Sequence, residues 1–133
     1  MQEPIWVLDD TVRQIHHMQL QAHGGGTGIR DANLLESALY RPKQLFSYHT
    51  DDITLCPLGA AYAYGIACNH PFVDGNKRTA FVVCLLFLRL NGCQIIASQD
   101  DKYETFLSLA EGRLTEQQLT TWLQDHVQIV PLT

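Results

Sequence analysis

The stretch His70-Pro71-Phe72-Val73-Asp74-Gly75-Asn76-Lys77-Arg78, followed by Thr79 and an unbroken apolar run over 80–88, decides how this chain is read. It sets a proton acceptor, a carboxylate, a glycine turn and two cations side by side, directly ahead of a segment that must be buried. A segment apolar on every face has to be enclosed by other helices. A helix is therefore expected over 76–90, stopping at Asn91-Gly92 as a left-handed C-cap. Lys77 and Arg78 then fall in its first turn, where the partial positive charge of a helix N-terminus disfavours cations. An anion bound there removes the conflict, because unpaired backbone N–H groups, the helix dipole and both cations act on the same oxygens. Gly75, just before, lets the backbone turn and a phosphate come close. Without the neighbouring residues, Asn76 would read as an N-cap and the two cations as solvated.

His70 and Asp74 turn the balance. A helix rich in small residues (Gly59, Ala60, Ala61, Ala63, Gly65, Ala67) is expected over 53–69 and reads as a tightly packed central element. His70 ends it, across a short loop from the phosphate cradle, where its ring suits general-base removal of a substrate hydroxyl proton. Asp74 is the only carboxylate of the loop, and a hard oxygen ligand beside phosphates suits Mg²⁺. Arg78 offers a fork that matches phosphate oxygens and can neutralise developing charge. Phe72 reads as the apolar anchor of the loop. Each has a plainer reading: His70 as a cation at a helix C-terminus, Asp74 as a turn residue, Phe72 as ordinary core. Their joint occurrence in one loop favours the functional one, a nucleotide-using enzyme.

Outward from this centre the chain reads as helical. A first helix is expected over 9–22, with Asp9 or Asp10 as N-cap, Thr11 and Gln14 resembling a capping box, and His23-Gly24-Gly25-Gly26 as its stop. A second starts at Asp31 as N-cap and ends before Pro42. Residues 43–50, with Phe46 and Tyr48 two apart, favour an extended strand or short hairpin. A short extended piece over 93–97 precedes two further helices, over 100–111 and 115–127. The last opens with the capping box Thr115-x-x-Gln118 and closes before Pro131. The expectation is an all-α fold of about six helices around a central helix–loop–helix, with one small β element.

Bulk properties narrow the class. With 133 residues and 46 % apolar composition, one domain over 1–133 is expected. The net charge of −5 argues against a protein that covers nucleic-acid phosphates with Lys and Arg. No basic-then-apolar leader opens the chain, and the run over 80–88 is far short of the roughly 20 residues that span a bilayer. A cytoplasmic, membrane-free protein is expected. Cys56, Cys68, Cys84 and Cys93 lack C-x-x-C spacing and read as reduced, mostly buried thiols. His16 and His17 point apart on a helix, and His23, seven residues from His16, is about 10 Å away. No metal site is expected there.

The stretch 70–78 resembles the H-x-F-x-[DE]-[GA]-N-[GK]-R motif of the Fic/Doc (Fido) family. With Lys77 and the following Thr79-Ala80 it is similar to the death-on-curing (Doc) branch, the toxins of toxin–antitoxin pairs. Gly28-Ile-Arg-Asp31, Leu34-Leu-Glu-Ser-Ala38, Arg41-Pro42 and Leu85-Leu-Phe-Leu-Arg-Leu-Asn-Gly92 extend the resemblance over most of the chain. The resemblance implies a compact helical domain with a small β flap, here residues 43–50, that holds a target peptide as an added strand. It implies His70 as base, Asp74 as Mg²⁺ ligand, and Gly75, Asn76, Lys77 and Arg78 as the loop that binds ATP. Adenylylating Fic proteins usually carry Gly where this chain has Lys77 and a second Arg where it has Phe81. Those differences imply γ-phosphoryl transfer to a Ser or Thr of a translation factor. Gly75, where the best-known Doc pattern has Ala, points instead toward AMP transfer. The self-inhibitory pattern [ST]-x-x-x-E-[GN] of Fic-type proteins has its nearest match in Ser108-Leu-Ala-Glu111-Gly112, one residue too short. Restraint by a separate antitoxin is therefore expected. A non-catalytic helical module that binds a partner protein is the competing class, and a DNA-reading helix-turn-helix is a remote one.

Overall fold

In the computed structural model, residues 2–49 and 53–130 are described. Among them run α1 (Asp9–His23), α2 (Ala32–Tyr48), α3 (Leu55–Asn69), α4 (Asn76–Leu90), β1 (Cys93–Ile95), α5 (Gln99–Ala110), α6 (Glu116–His126) and β2 (Val127–Ile129). The all-α architecture is the one expected from the sequence.

The centre is α3, buried along almost its whole length, with Leu58, Ala60, Ala61, Tyr62, Ala63 and Ile66 all solvent-inaccessible. Its small residues let neighbours approach. A Cβ at Gly65 would stand 3.1 Å from the Ala38 Cα of α2, while one at Gly59 would meet Cys84 and Leu88 of α4 at ordinary contact distances. α4 packs along the other side of α3 and buries Thr79, Ala80, Val83, Cys84, Phe87 and Leu88. Phe81, Val82, Leu85 and Leu86 are half-buried against the same core, so the apolar run is enclosed as its composition requires. The amino-terminal segment is held by Val7 N–H donating to the Tyr62 hydroxyl (3.1 Å) and Ile5 N–H donating to Asn91 Oδ1 (2.8 Å).

Three expectations about elements change. Residues 43–48 are helical, not a strand or flap: α2 runs through Pro42 to Tyr48, and Thr50 lies outside the described residues. Pro42 removes one N–H, the partner of the Ala38 carbonyl, but it is itself buried, and α2 lies close on α3 where Ala38 meets Gly65. The α2–α3 packing thus outweighs the lost hydrogen bond. The small β element forms instead from the extended piece expected over 93–97: β1 pairs antiparallel with β2, Cys93 opposite Ile129 and Ile95 opposite Val127. The α1 N-cap is Leu8 with no side-chain cap, and Asp9 sits in the first turn, where it pairs with Arg13. α4 stops at Asn91-Gly92 as expected, with Gly92 (φ +84°) in the left-handed conformation.

Other local signals act as read. Asp31 caps α2 by accepting from Asn33 and Leu34 N–H (3.0 and 3.1 Å), and Thr115 and Gln118 form a reciprocal capping box at α6. α6 ends at His126, ahead of Pro131 as expected, and residues 127–129 turn to strand. All four cysteines are free, three of them buried. Among the described residues no helix is long and apolar enough to cross a membrane.

Candidate functional site

The loop between α3 and α4 is built from both flanks. At the end of α3, His70 adopts a left-handed conformation (φ 50°, ψ 56°), the one non-glycine positive φ among the described residues. Phe72 drops into the core, 1 % exposed. Asn76 closes the loop on itself: its Oδ1 accepts from Phe72 N–H (2.9 Å) and its Nδ2 donates to the Phe72 carbonyl (3.0 Å). Its side chain is therefore a staple, and its main chain is what remains for an anion. Gly75, at φ +78°, is the N-cap of α4 and supplies no side chain to the helix start. The first backbone bond of α4 runs from Thr79 N–H to the Gly75 carbonyl (3.0 Å). The N–H groups of Asn76, Lys77 and Arg78 precede it and point out of the helix end.

Around that end lies a cleft of about 480 Å³ lined on one side by Ala67, His70 and 73–78, and on the other by Leu107 and Ala110 of α5 and its C-cap Glu111. All six sequence-predicted site residues, His70, Asp74, Gly75, Asn76, Lys77 and Arg78, line this one cleft. Neither Lys77 nor Arg78 forms an ion pair among the described residues. Lys77 Nζ lies 5.8 Å from the centre of the Tyr103 ring of α5, close enough for a cation–π contact. No acidic residue occupies the first turn of α4. The helix dipole and both cations therefore face the cleft without an ion-pair partner, opposite the Asp74 and Glu111 carboxylates that share its lining, an arrangement suited to an anion bound with a cation.

Asp74 leaves part of its carboxylate available. Oδ1 accepts from Gly75 N–H (2.8 Å) and Oδ2 from Gly26 N–H at the long distance of 3.4 Å. The residue is otherwise exposed, with lone pairs to spare. One carboxylate together with substrate phosphates is a usual Mg²⁺ environment, so the donor set fits that ion.

Four residues that shape the loop were missed in the sequence. His16 of α1, buried, stacks on Phe72 (ring centres 3.8 Å apart, 9° between planes), and its Nε2–H donates to the Asp74 carbonyl (2.8 Å). Its value to the protein is as a floor for the loop. Gly25 and Gly26 allow the loop after α1 to lie against Asp74 and Val73: a Cβ would stand 2.7 Å from Asp74 Oδ2 and 2.9 Å from Val73 Cγ1, respectively. Arg30 grips the end of α3 through the carbonyls of Asn69 and His70. These partners are 39 to 58 residues apart in sequence, beyond any local signal. Glu111, set aside on spacing, does line the cleft, and its Oε1 accepts from Arg113 Nη2 (3.1 Å).

A model described as "Fic/DOC family" matches residues 6–88, which include α1, α2, α3, the loop and nearly all of α4. The chain is 40 % identical over 89 residues to a protein named Toxin Doc from Mycolicibacterium smegmatis, covering 65 % of this chain and 68 % of that one. It is 36 % identical over 87 residues to Protein kinase doc of Escherichia phage P1, covering 65 % and 68 % respectively.

Proposed function

This chain belongs to the Fic/DOC family, and on that footing we propose that it is the toxin of a toxin–antitoxin pair, a protein-modifying enzyme that moves the γ-phosphoryl group of ATP to a Ser or Thr hydroxyl. The observation that carries this reading is the cleft itself, where His70 stands beside an uncapped helix N-terminus flanked by Lys77, Arg78 and Asp74. The names of the two relatives, a toxin and a protein kinase, support it.

Each residue then has a part. The N–H groups that open α4, together with Lys77 and Arg78, hold the phosphate chain and fix it in line with the incoming hydroxyl. Positioning of this kind supplies most of the catalysis in phosphoryl transfer. The hydroxyl oxygen bonds to the γ-phosphorus as the bond to the β-bridging oxygen breaks. The hydroxyl proton passes to the His70 imidazole, and ADP leaves. Arg78 neutralises charge on the equatorial oxygens. Asp74 would hold Mg²⁺, which when bound offsets phosphate charge. His16 and the side chain of Asn76 keep the loop in shape, while the Asn76 N–H is one of those offered to the phosphates.

On the same reading residues 1–133 act as one unit in the cytoplasm, with a translation factor as target and a separate antitoxin as restraint. AMP transfer is the second reading, favoured by Gly75, which leaves a phosphate close access to the backbone. It requires only that the α-phosphorus face His70 and that pyrophosphate leave.

The test uses ATP labelled at the α- or the γ-phosphate in parallel reactions with cell lysate, with His70→Ala as control. Label from γ alone, entering a protein and lost in the variant, is expected. Label from α makes the protein an adenylyltransferase. No transfer by the unaltered chain, with no Mg²⁺-dependent ATP binding by calorimetry, leaves a non-catalytic binding module.

A further inference from the structure

His70 occupies a conformation that its sequence disfavours. A residue before proline is pushed toward extended backbone, and a non-glycine side chain rarely accepts positive φ. His70 precedes Pro71 and still takes φ 50°, ψ 56°. That choice sets the direction of its Cα–Cβ bond, and with it the aim of the ring into the cleft. Something outside the α3–α4 loop must hold it.

The contacts identify the holder. Arg30 Nε donates to the His70 carbonyl (2.7 Å) and Arg30 Nη2 to the Asn69 carbonyl (2.9 Å). A guanidinium fork on the last carbonyls of α3 satisfies acceptors the helix leaves open and places a cation at the negative end of its dipole. The same segment grips the far side of His70: Arg30 and Asp31 N–H both donate to the Pro71 carbonyl (2.7 and 3.0 Å), and Val73 N–H donates to the Gly28 carbonyl (3.1 Å). Ile29 and Phe72 form an antiparallel bridge. The peptide units on both sides of the His70–Pro71 bond are thus fastened to 28–31, while among the described residues no protein group hydrogen-bonds the His70 ring.

We infer that Arg30 is a positioning residue, whose guanidinium clamps the Asn69 and His70 carbonyls and so holds the His70 backbone left-handed with its ring aimed at the reacting hydroxyl. The inference rests on the reading of His70 as the proton acceptor. Arg30 itself is exposed and does not line the cleft, so its loss acts on the chemical step and leaves ATP binding to the α4 end. Lysine keeps the charge but reaches one carbonyl with a single point, and is an intermediate case.

The full-length chain, Arg30→Ala and Arg30→Lys are compared by label transfer at varied ATP, by thermal unfolding and by the NMR backbone shifts of His70. Arg30→Ala is expected to lower kcat about 10- to 100-fold while KM for ATP stays within about twofold. Its His70 shifts are expected to leave left-handed values in a protein that still unfolds cooperatively. Arg30→Lys is expected to fall between, and it carries the test if the alanine variant does not fold. Unchanged kcat, a loss confined to KM, or His70 shifts that stay left-handed in a folded variant would each overturn the inference. If the unaltered chain transfers no label, the enzymatic reading fails, and the shifts alone still decide whether Arg30 holds His70.

Discussion

The carboxylate of Asp74 depends on a residue that carries no side chain. Gly25, at φ +126°, lies so close that a Cβ would stand 2.7 Å from Asp74 Oδ2 and 3.1 Å from Leu20 Cδ2. Gly25→Ala is strained by its backbone and must also turn the carboxylate away or push the loop outward. A loss of about 1–3 kcal/mol is expected from the backbone alone, read from urea unfolding. On the proposed function, the Mg²⁺ concentration for half-maximal label transfer should rise as well. Unchanged Mg²⁺ dependence with reduced stability would show that the carboxylate orients without this contact. His16 makes the complementary point: a residue first weighed as a metal ligand turns out to spend its Nε2–H on the main chain of the loop.

Among the helices, close approach is decided by which face of α3 a glycine occupies. Gly65 lies under Ala38 of α2, where a Cβ would be 3.1–3.2 Å from backbone atoms. Gly59 faces side chains of α4, where a Cβ would find ordinary contact at 3.5 Å. Alanine gains about 1 kcal/mol over glycine in helix propensity at either position. At Gly59 that gain should survive, and Gly59→Ala is expected to stabilise by about 0.5–1 kcal/mol. At Gly65 the helices must separate, which costs about 1–3 kcal/mol and leaves Gly65→Ala net destabilising. Chemical unfolding of the two variants checks both signs, and a stabilised Gly65→Ala would mean that α2 yields freely. The same contact explains why α2 passes through Pro42. Periodicity and a proline rule describe one helix, but the stop they predict was overridden by packing against another.

Burial across the core gives the fold a pH limit on the alkaline side. Desolvation, helped by the Cys93 thiol, pushes Cys56 from 9.0 to about 11. Desolvation raises Tyr62 from 10.0 to about 12, partly offset by its hydrogen bond to Val7. Cys84 is raised further by full burial. In the unfolded chain these groups release protons near their ordinary values, while the folded chain keeps them. The native state therefore binds more protons above about pH 9, and stability falls as pH rises. This contribution is whole below the unfolded values and drains away as pH climbs toward the folded ones. Urea midpoints from about pH 7 to about pH 10.5 are expected to be flat and then to decline. Cys56→Ala should flatten the decline, and a midpoint that holds steady through this range in the unaltered chain would contradict it.

Much of this protein was readable from local chemistry. The capping residues Asp31 and Thr115, the all-apolar α4 and the small-residue α3 announced the helices, because caps and periodicity act within a few residues. The cluster from His70 to Arg78 marked the cleft at the start of α4 for the same reason, since a helix N-terminus and its cations are adjacent in the chain. Tertiary structure decided what depends on meeting partners from afar. It carried α2 past Pro42 through 43–48, gave the extended piece read at 93–97 its partner at 127–129, and brought His16, Gly25 and Arg30 to the loop. Those choices rest on shape and hydrogen bonds between segments tens of residues apart, whose energies no local pattern of sequence encodes.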